Sequence, residues 1–196
     1  MKILENTIKE LIKDGIKNPE DLAFFKRKTA KKYALPMFSN SELLKAYHNL
    51  AKLKKIRTDK NLENLLKIRK IRSLSGIVIV SVLTKPYPCP GNCLYCPTQK
   101  SLPKSYIDGE PAVMRAIVNK FDPYLQVKMR IKALENIGHS ADKVDLRIIG
   151  GTWSFYPKKY QSWFIKRCFE ACNQKKSKSL EDAKNVNEGT KYRLVG

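Results

Sequence analysis

Acidic residues are scarce in this sequence: 18 Asp+Glu stand against 39 Lys+Arg, a formal net charge of +21 over 196 residues. Such an excess attracts polyanions, and nucleic acid is the commonest, although lysines that merely solvate a surface give the same count. Long hydrophobic runs are missing too. No apolar stretch approaches the roughly 18 residues that a membrane span requires. The N-terminal MKILENTIKE has no signal-peptide apolar core, so the expected compartment is the cytosol, with no membrane partner. Histidine is nearly absent: His48 and His139 are distant from every cysteine, and each reads as an ordinary helix or turn residue. Cysteine is limited to five, an odd number, and three of the five fall within eight residues. In a cytosolic protein, so tight a group reads as metal-binding before it reads as disulfide. The 42% hydrophobic content suffices for one core, or for a small domain plus part of a larger one.

Up to residue 75 the pattern is helical. Leu4, Ile8, Leu11 and Ile12 form one apolar face, which Gly15 ends. Asn18 caps a second helix that starts at Pro19, with Glu20 and Asp21 in its first turn and Leu22, Phe24 and Phe25 as its apolar side. That helix continues into the basic run Lys26, Arg27, Lys28, Lys31 and Lys32. Ser39 and Glu42 form a capping box for a third helix with the stripe Leu43, Tyr47, Leu50 and Leu53. A fourth is expected from Asn61 to Ile71, bearing Lys67, Arg69 and Lys70, with Arg72 just beyond. This segment carries 19 basic and 8 acidic residues, a denser charge than the rest, and it suits a phosphate-binding module with salt-sensitive affinity.

The period then changes. Gly76–Thr84 is a nearly continuous β-branched run, as expected for a strand buried on both faces of a parallel sheet. A Pro- and Gly-rich loop follows to about Gly109. Helices are expected over 110–120 and 122–137, the second with Asp122 as cap, Pro123 first and Gly138 beyond its end. Val144–Ile149 reads as a second strand ending in Gly150-Gly151-Thr152, followed by helices over 157–173 and 180–189 and a third strand at Tyr192–Val195. Lys175–Ser179 reads as an exposed loop. Strands alternating with helices define βαβ units and a parallel sheet, which three strands cannot close.

The spacing Cys89-x3-Cys93-x2-Cys96 supplies three thiolates for three irons of a four-iron cubane and leaves the fourth iron open to a ligand. Zinc in a closed structural site needs a fourth Cys or His, and none lies nearby. Cys168 and Cys172, four apart on a predicted helix, read as core thiols. Tyr95, the aromatic before the last cysteine, together with the loop's position after a first parallel strand, favours a radical S-adenosylmethionine (SAM) site.

Ser73–Cys89 followed by Cys93-Leu-Tyr-Cys-Pro97 resembles the catalytic subunit of Elongator, the tRNA uridine carboxymethyl synthase family, also described as a tRNA acetyltransferase. The likeness continues through Lys104–Ala116, Phe121–Gln126, Leu134–Val144, Ile149–Thr152, Ser179–Ala183 and Asn187–Gly196. The resemblance implies an α/β chain: a basic helical tRNA-binding region over 1–72, then over 73–196 the first, incomplete half of a radical SAM (βα)6 partial TIM barrel. It implies a [4Fe-4S] cluster on Cys89, Cys93 and Cys96, with SAM beside Tyr95, Gly150, Gly151 and Thr152. It further implies acetyl-CoA as co-substrate against Lys143, and tRNA as the molecule whose wobble uridine is modified. The resemblance assigns no catalytic side chain. Many family members space the first two cysteines more widely than this chain does. The family's second barrel half and acetyltransferase-like domain are not in this sequence, so the expectation is a fragment or a chain with a separate partner half. Two other functions stay open from sequence: a different radical SAM enzyme acting on RNA or protein, and a non-catalytic RNA-binding remnant.

Overall fold

A computed structural model describes residues 2–196, which form two compact units. The first comprises the chain through Leu74 together with Ala133–Ser140; the second comprises Ser75–Lys132 and Ala141–Gly196.

The first unit is helical. Helix α1 (Lys2–Lys13) buries Ile8 and Leu11, and Gly15 follows with φ +62°. Helix α2 (Pro19–Tyr33) begins where Asn18 Oδ1 accepts the Asp21 N–H at 2.8 Å. The Asn18 side chain thereby satisfies one of the helix's orphan donors. Leu22 and Phe25 are buried, but Phe24 is 63% exposed, because consecutive residues point about 100° apart around a helix. Helix α3 (Asn40–Lys52) has the expected capping box: the Glu42 N–H donates to Ser39 Oγ and the Ser39 N–H to Glu42 Oε2. Its stripe is Leu43, Leu44, Tyr47 and Leu50, whereas Leu53 falls past the helix end and is 61% exposed. Helix α4 (Lys60–Leu66) is capped by Asp59. It stops five residues short of the expected Ile71, because the Ile68 N–H donates to the Ile137 carbonyl rather than continuing the helical ladder. Arg69 then takes φ +54°, and Lys70–Ser73 form one 3₁₀ turn. His139 anchors this segment, with Nε2 2.9 Å from the Ile68 carbonyl and Nδ1 2.8 Å from Ser73 Oγ. At Gly138 the φ of +90° strains any side chain, and a Cβ would crowd Leu44 Cδ2 at 2.9 Å. The core gathers Ile8, Leu11, Leu22, Phe25, Leu43, Leu44, Tyr47, Leu50, Leu62 and Leu66. Each such side chain contributes about 1.5–3 kcal/mol through burial.

In the second unit, β1 (Val78–Leu83), β2 (Lys143–Ile149) and β3 (Arg193–Leu194) form a parallel sheet in the order β1-β2-β3. Val78 pairs with Val144 and Leu83 with Ile149. The β1 strand is not buried on both faces: Val78, Val80 and Val82 are covered, but Ile79 is 44% exposed and Ser81 half-buried. The face bearing Ile79 lacks a covering layer there, so the strand alternates. Helices α5 (Pro111–Val118) and α6 (Pro123–Asn136) follow the long loop after β1, and the Leu125 N–H donates to the capping Asp122 Oδ1. The α5 helix ends at Val118, before two left-handed residues, Lys120 and Phe121. Gln126 in α6 takes the place of a neighbouring strand at the free edge of β1. Its Oε1 accepts the Leu83 N–H and its Nε2 donates to the Leu83 carbonyl, both at 3.0 Å. Helices α7 (Lys158–Asn173) and α8 (Leu180–Asn187) complete the unit. Cys168 and Cys172 are buried in α7. Burial pushes the Cys172 thiol up to about 12 and the Cys168 thiol well above its usual value, so both are core thiols, as read from sequence. No described helix is long and apolar enough to cross a membrane.

Candidate functional site

Parallel strands deliver their loops to one edge of a sheet, and here the carboxyl ends of β1 and β2 meet. The Thr84 N–H donates to the Ile149 carbonyl, extending the ladder by one residue. Gly150 follows at φ +154°, and a Cβ there would overlap Thr84 Oγ1. Glycine is therefore required where the two loops diverge. Thr84 Oγ1 is 2.8 Å from the Tyr156 hydroxyl, which donates to the Lys85 carbonyl. Tyr160, buried enough that its phenol rises to about 12, accepts the Lys85 N–H at 3.1 Å. These contacts fix the exit of the cysteine loop from the sheet.

Cys89 Sγ lies 3.2 Å from Thr152 Oγ1, tying the cysteine loop to the Gly-Gly-Thr turn. That hydroxyl, aided by the Gly91 backbone and by Lys104, holds the Cys89 thiol below the usual range. Cys93 is exposed and Cys96 half-buried, and the Cys96 N–H donates to the Cys93 carbonyl in a tight turn. Leu94 and Tyr95, at the tip, are exposed. The charge of Cys93, its hydrogen bond to Tyr95 and the charge of Cys96 raise the Tyr95 phenol.

All three cysteines are free thiols. Among the described residues no three Cys, His, Asp or Glu side chains converge to hold a single metal ion. In a cubane each thiolate binds a different iron, so three free thiols on one loop fit a cluster in kind and number.

The structure brings Cys89 to Thr152 where β1 and β2 end; Cys93, Tyr95 and Cys96 follow on the same loop as Cys89, and Gly150 and Gly151 precede Thr152 in the same turn. Lys143 lies elsewhere: it opens β2, exposed, whereas the glycines follow the strand's other end, about 23 Å away at the strand's rise per residue. In the first unit, Arg27, Lys28 and Lys31 are exposed along α2. Lys32 instead pairs with Glu10 at 2.6 Å, and half-buried Lys26, lowered by desolvation, donates to Asn40. Arg69, Lys70 and Arg72 are exposed around the 3₁₀ turn rather than on a helix, and Lys67 reaches Ser73. Sequence reasoning missed Thr84, Tyr87, Lys104, Tyr156 and Tyr160. A signal was present in the density of rings just after Thr152: Trp153, Phe155, Tyr156, Tyr160, Trp163 and Phe164.

Fold and site define an α/β chain with a cysteine loop at the carboxyl edge of a parallel sheet. No family model matches it. The chain is 47% identical over 130 residues to the tRNA uridine(34) acetyltransferase of Methanocaldococcus infernus, a match covering 63% of this chain and 24% of that protein. It is 46% identical over 125 residues to the tRNA uridine(34) acetyltransferase of Dehalococcoides mccartyi, covering 64% and 27%. It is 36% identical over 136 residues to the human Elongator complex protein 3, covering 64% and 25%. A solved structure of the archaeal Methanocaldococcus infernus Elp3 with an N-terminal deletion matches at 37% identity and TM-score 0.46, over 62% of this chain and 22% of that one. The chain is thus homologous to these proteins over about 64% of its length, and spans about a quarter of theirs.

Proposed function

We propose that this chain carries the cluster-holding part of a radical SAM enzyme that modifies the wobble uridine of tRNA, with acetyl-CoA as co-substrate. The observation that carries this reading is the 3.2 Å contact between Cys89 Sγ and Thr152 Oγ1, which sets the cysteine loop against the Gly-Gly-Thr turn. The names of the relatives supply the substrate class. Cys89, Cys93 and Cys96 would hold the [4Fe-4S] cluster. When bound, the cluster supplies the electron for reductive cleavage of SAM.

The chain's own residues do the positioning. The Thr152 hydroxyl orients Cys89, and the Thr84–Tyr156–Lys85 hydrogen bonds fix the start of the loop. Gly150 makes room for Thr84, and Gly151, lacking a side chain, leaves its backbone open to the amino group of SAM. Exposed Arg27, Lys28, Lys31, Arg69, Lys70 and Arg72 neutralise tRNA phosphates. Lys143, about 23 Å from Gly150 at the rise of an extended strand, reaches only the far end of an elongated co-substrate such as acetyl-CoA.

Titration of SAM into the reduced, anaerobically reconstituted protein tests the reading. A change in the cluster's electron paramagnetic resonance signal, weakened in Thr152→Val, is expected. A chain that binds tRNA but whose reconstituted cluster is indifferent to SAM overturns it.

A further inference from the structure

Beside the cysteine loop the rings form one continuous ladder. Trp163 packs on Tyr160 at 5.5 Å, Tyr160 stacks on Tyr156 at 5.1 Å, Tyr156 stacks on Tyr87 at 4.8 Å, and Tyr87 meets Phe155 at 6.1 Å. The middle of the ladder is anchored by the hydrogen bonds of Tyr156 and Tyr160 to Thr84 and Lys85. Its two ends are open: Phe155 is 47% and Trp163 42% exposed. A core cluster buries its largest rings, whereas rigid rings held half-open by a buried support are built to receive another flat surface.

The segments that carry the rings have charge of one sign: residues 85–107 and 146–169 contain no Asp or Glu, the nearest acids in sequence being Asp108, Asp145 and Glu170. They do contain Lys85, Lys104, Lys158 and Lys159. Lys85 Nζ lies 4.9 Å from the centre of the Tyr160 ring. Lys158 and Lys159, both exposed, occupy the first turn of α7, with no acidic residue there. Cations at a helix N-terminus oppose its dipole, a local cost that an external anion would offset.

We infer that Phe155 and Trp163, with Lys85, Lys158 and Lys159, form a stacking platform for unpaired bases of RNA at the edge of the cysteine loop. Flat π-surfaces accept any base, and flanking cations track the backbone, which is the chemistry of single-strand binding. An acidic peptide would use the lysines but gain nothing from open rings. The inference rests on the proposed tRNA substrate and deepens it, by placing unpaired nucleotides beside Cys89 and Thr152.

The test compares two probes on the full chain: an RNA stem-loop with a seven-nucleotide loop (roughly the site size of a small single-strand platform) and the same stem closed as a duplex. Phe155→Ala and Trp163→Ala are each expected to weaken stem-loop binding about tenfold, the equivalent of one lost stacking contact, and to leave duplex binding unchanged. Trp163→Phe, which keeps a ring, retains parent affinity and guards against misfolding as the cause. The stem-loop, but not the duplex, should also quench Trp163 fluorescence in Trp153→Phe protein. Equal stem-loop affinity in parent and Ala variants overturns the platform while leaving tRNA binding intact. A poly-glutamate peptide that displaces the stem-loop and binds parent and Ala variants alike, with no quenching, shows charge alone at work and also overturns it. Failure of the parent to bind either RNA, or intact tRNA, overturns the tRNA reading as well.

Discussion

Gln126 bonds both the N–H and the carbonyl of Leu83, each at 3.0 Å, and so closes the free edge of β1 one residue before the chain leaves for the cysteine loop. A side-chain amide donates and accepts in one plane, as a peptide does, so it substitutes for an absent strand. Gln126→Leu would leave a buried donor and acceptor unmet. The expected cost is about 1–3 kcal/mol, with faster hydrogen exchange at the Leu83 amide. Unchanged exchange at Leu83 would show that the clamp contributes nothing.

Gly150 makes the close approach to Thr84 possible. Gly150→Ala forces either Thr84 or the turn to move, because both the space and the φ of +154° are closed to a side chain. Thermal unfolding should fall by about 5 °C or more. Parent-like melting would mean that the turn relaxes freely.

Glu170 is buried in α7, yet its carboxyl is held below the usual range. Burial alone would push it up. The Ser177 N–H, at 2.9 Å, and the Arg167 guanidinium, at 2.7 Å, together with Lys166, outweigh that effect. A depressed carboxyl stabilises the fold above its unfolded value of about 4.3, and that contribution is lost as pH falls through the folded value. Urea melts should therefore show Glu170→Gln less stable than parent at pH near ~7, with the gap closing below about pH 4. A gap independent of pH would contradict this assignment.

The basic residues of α2 are not equivalent. Lys32 is paired with Glu10, whereas Lys28 and Lys31 are exposed along α2. Lys28→Ala combined with Lys31→Ala should weaken tRNA binding and shallow its salt dependence by roughly one unit of slope per lost phosphate contact, with Lys32→Ala closer to parent. Filter binding across a salt series reads both effects. A flat salt response in the parent would exclude a phosphate-driven interface.

What the sequence disclosed follows from distance along the chain. Asn18, the Ser39–Glu42 box and Asp122 with Pro123 act within one turn, so their helices start where expected. The end of α4 was misjudged because it depends on a bond from Ile68 to Ile137, and no local pattern encodes that partner. The α/β class with a parallel sheet was legible in the alternation of β-branched runs and helical periods. The exposure of Ile79 was not, because composition cannot say which face of a β-branched strand gains a covering layer. The cysteine spacing was legible for the same reason as the caps. Thr152 beside Cys89, Gly150 against Thr84, and the ring ladder all join segments more than sixty residues apart, and only the fold assembles them. Lys143 opens the strand that Gly150 follows, and so lies at its opposite end.

We propose that Cys89, Cys93 and Cys96 hold a four-iron cluster beside the Gly-Gly-Thr turn, independently of the basic helices. Iron and sulfide content after anaerobic reconstitution, measured with tRNA affinity on the same samples, tests it most directly. About four iron and four sulfide per parent chain are expected, neither retained by Cys93→Ser, with equal tRNA affinity in both proteins. A parent chain that takes up no cluster, or a Cys93→Ser chain that keeps the parent's iron and sulfide, would contradict it.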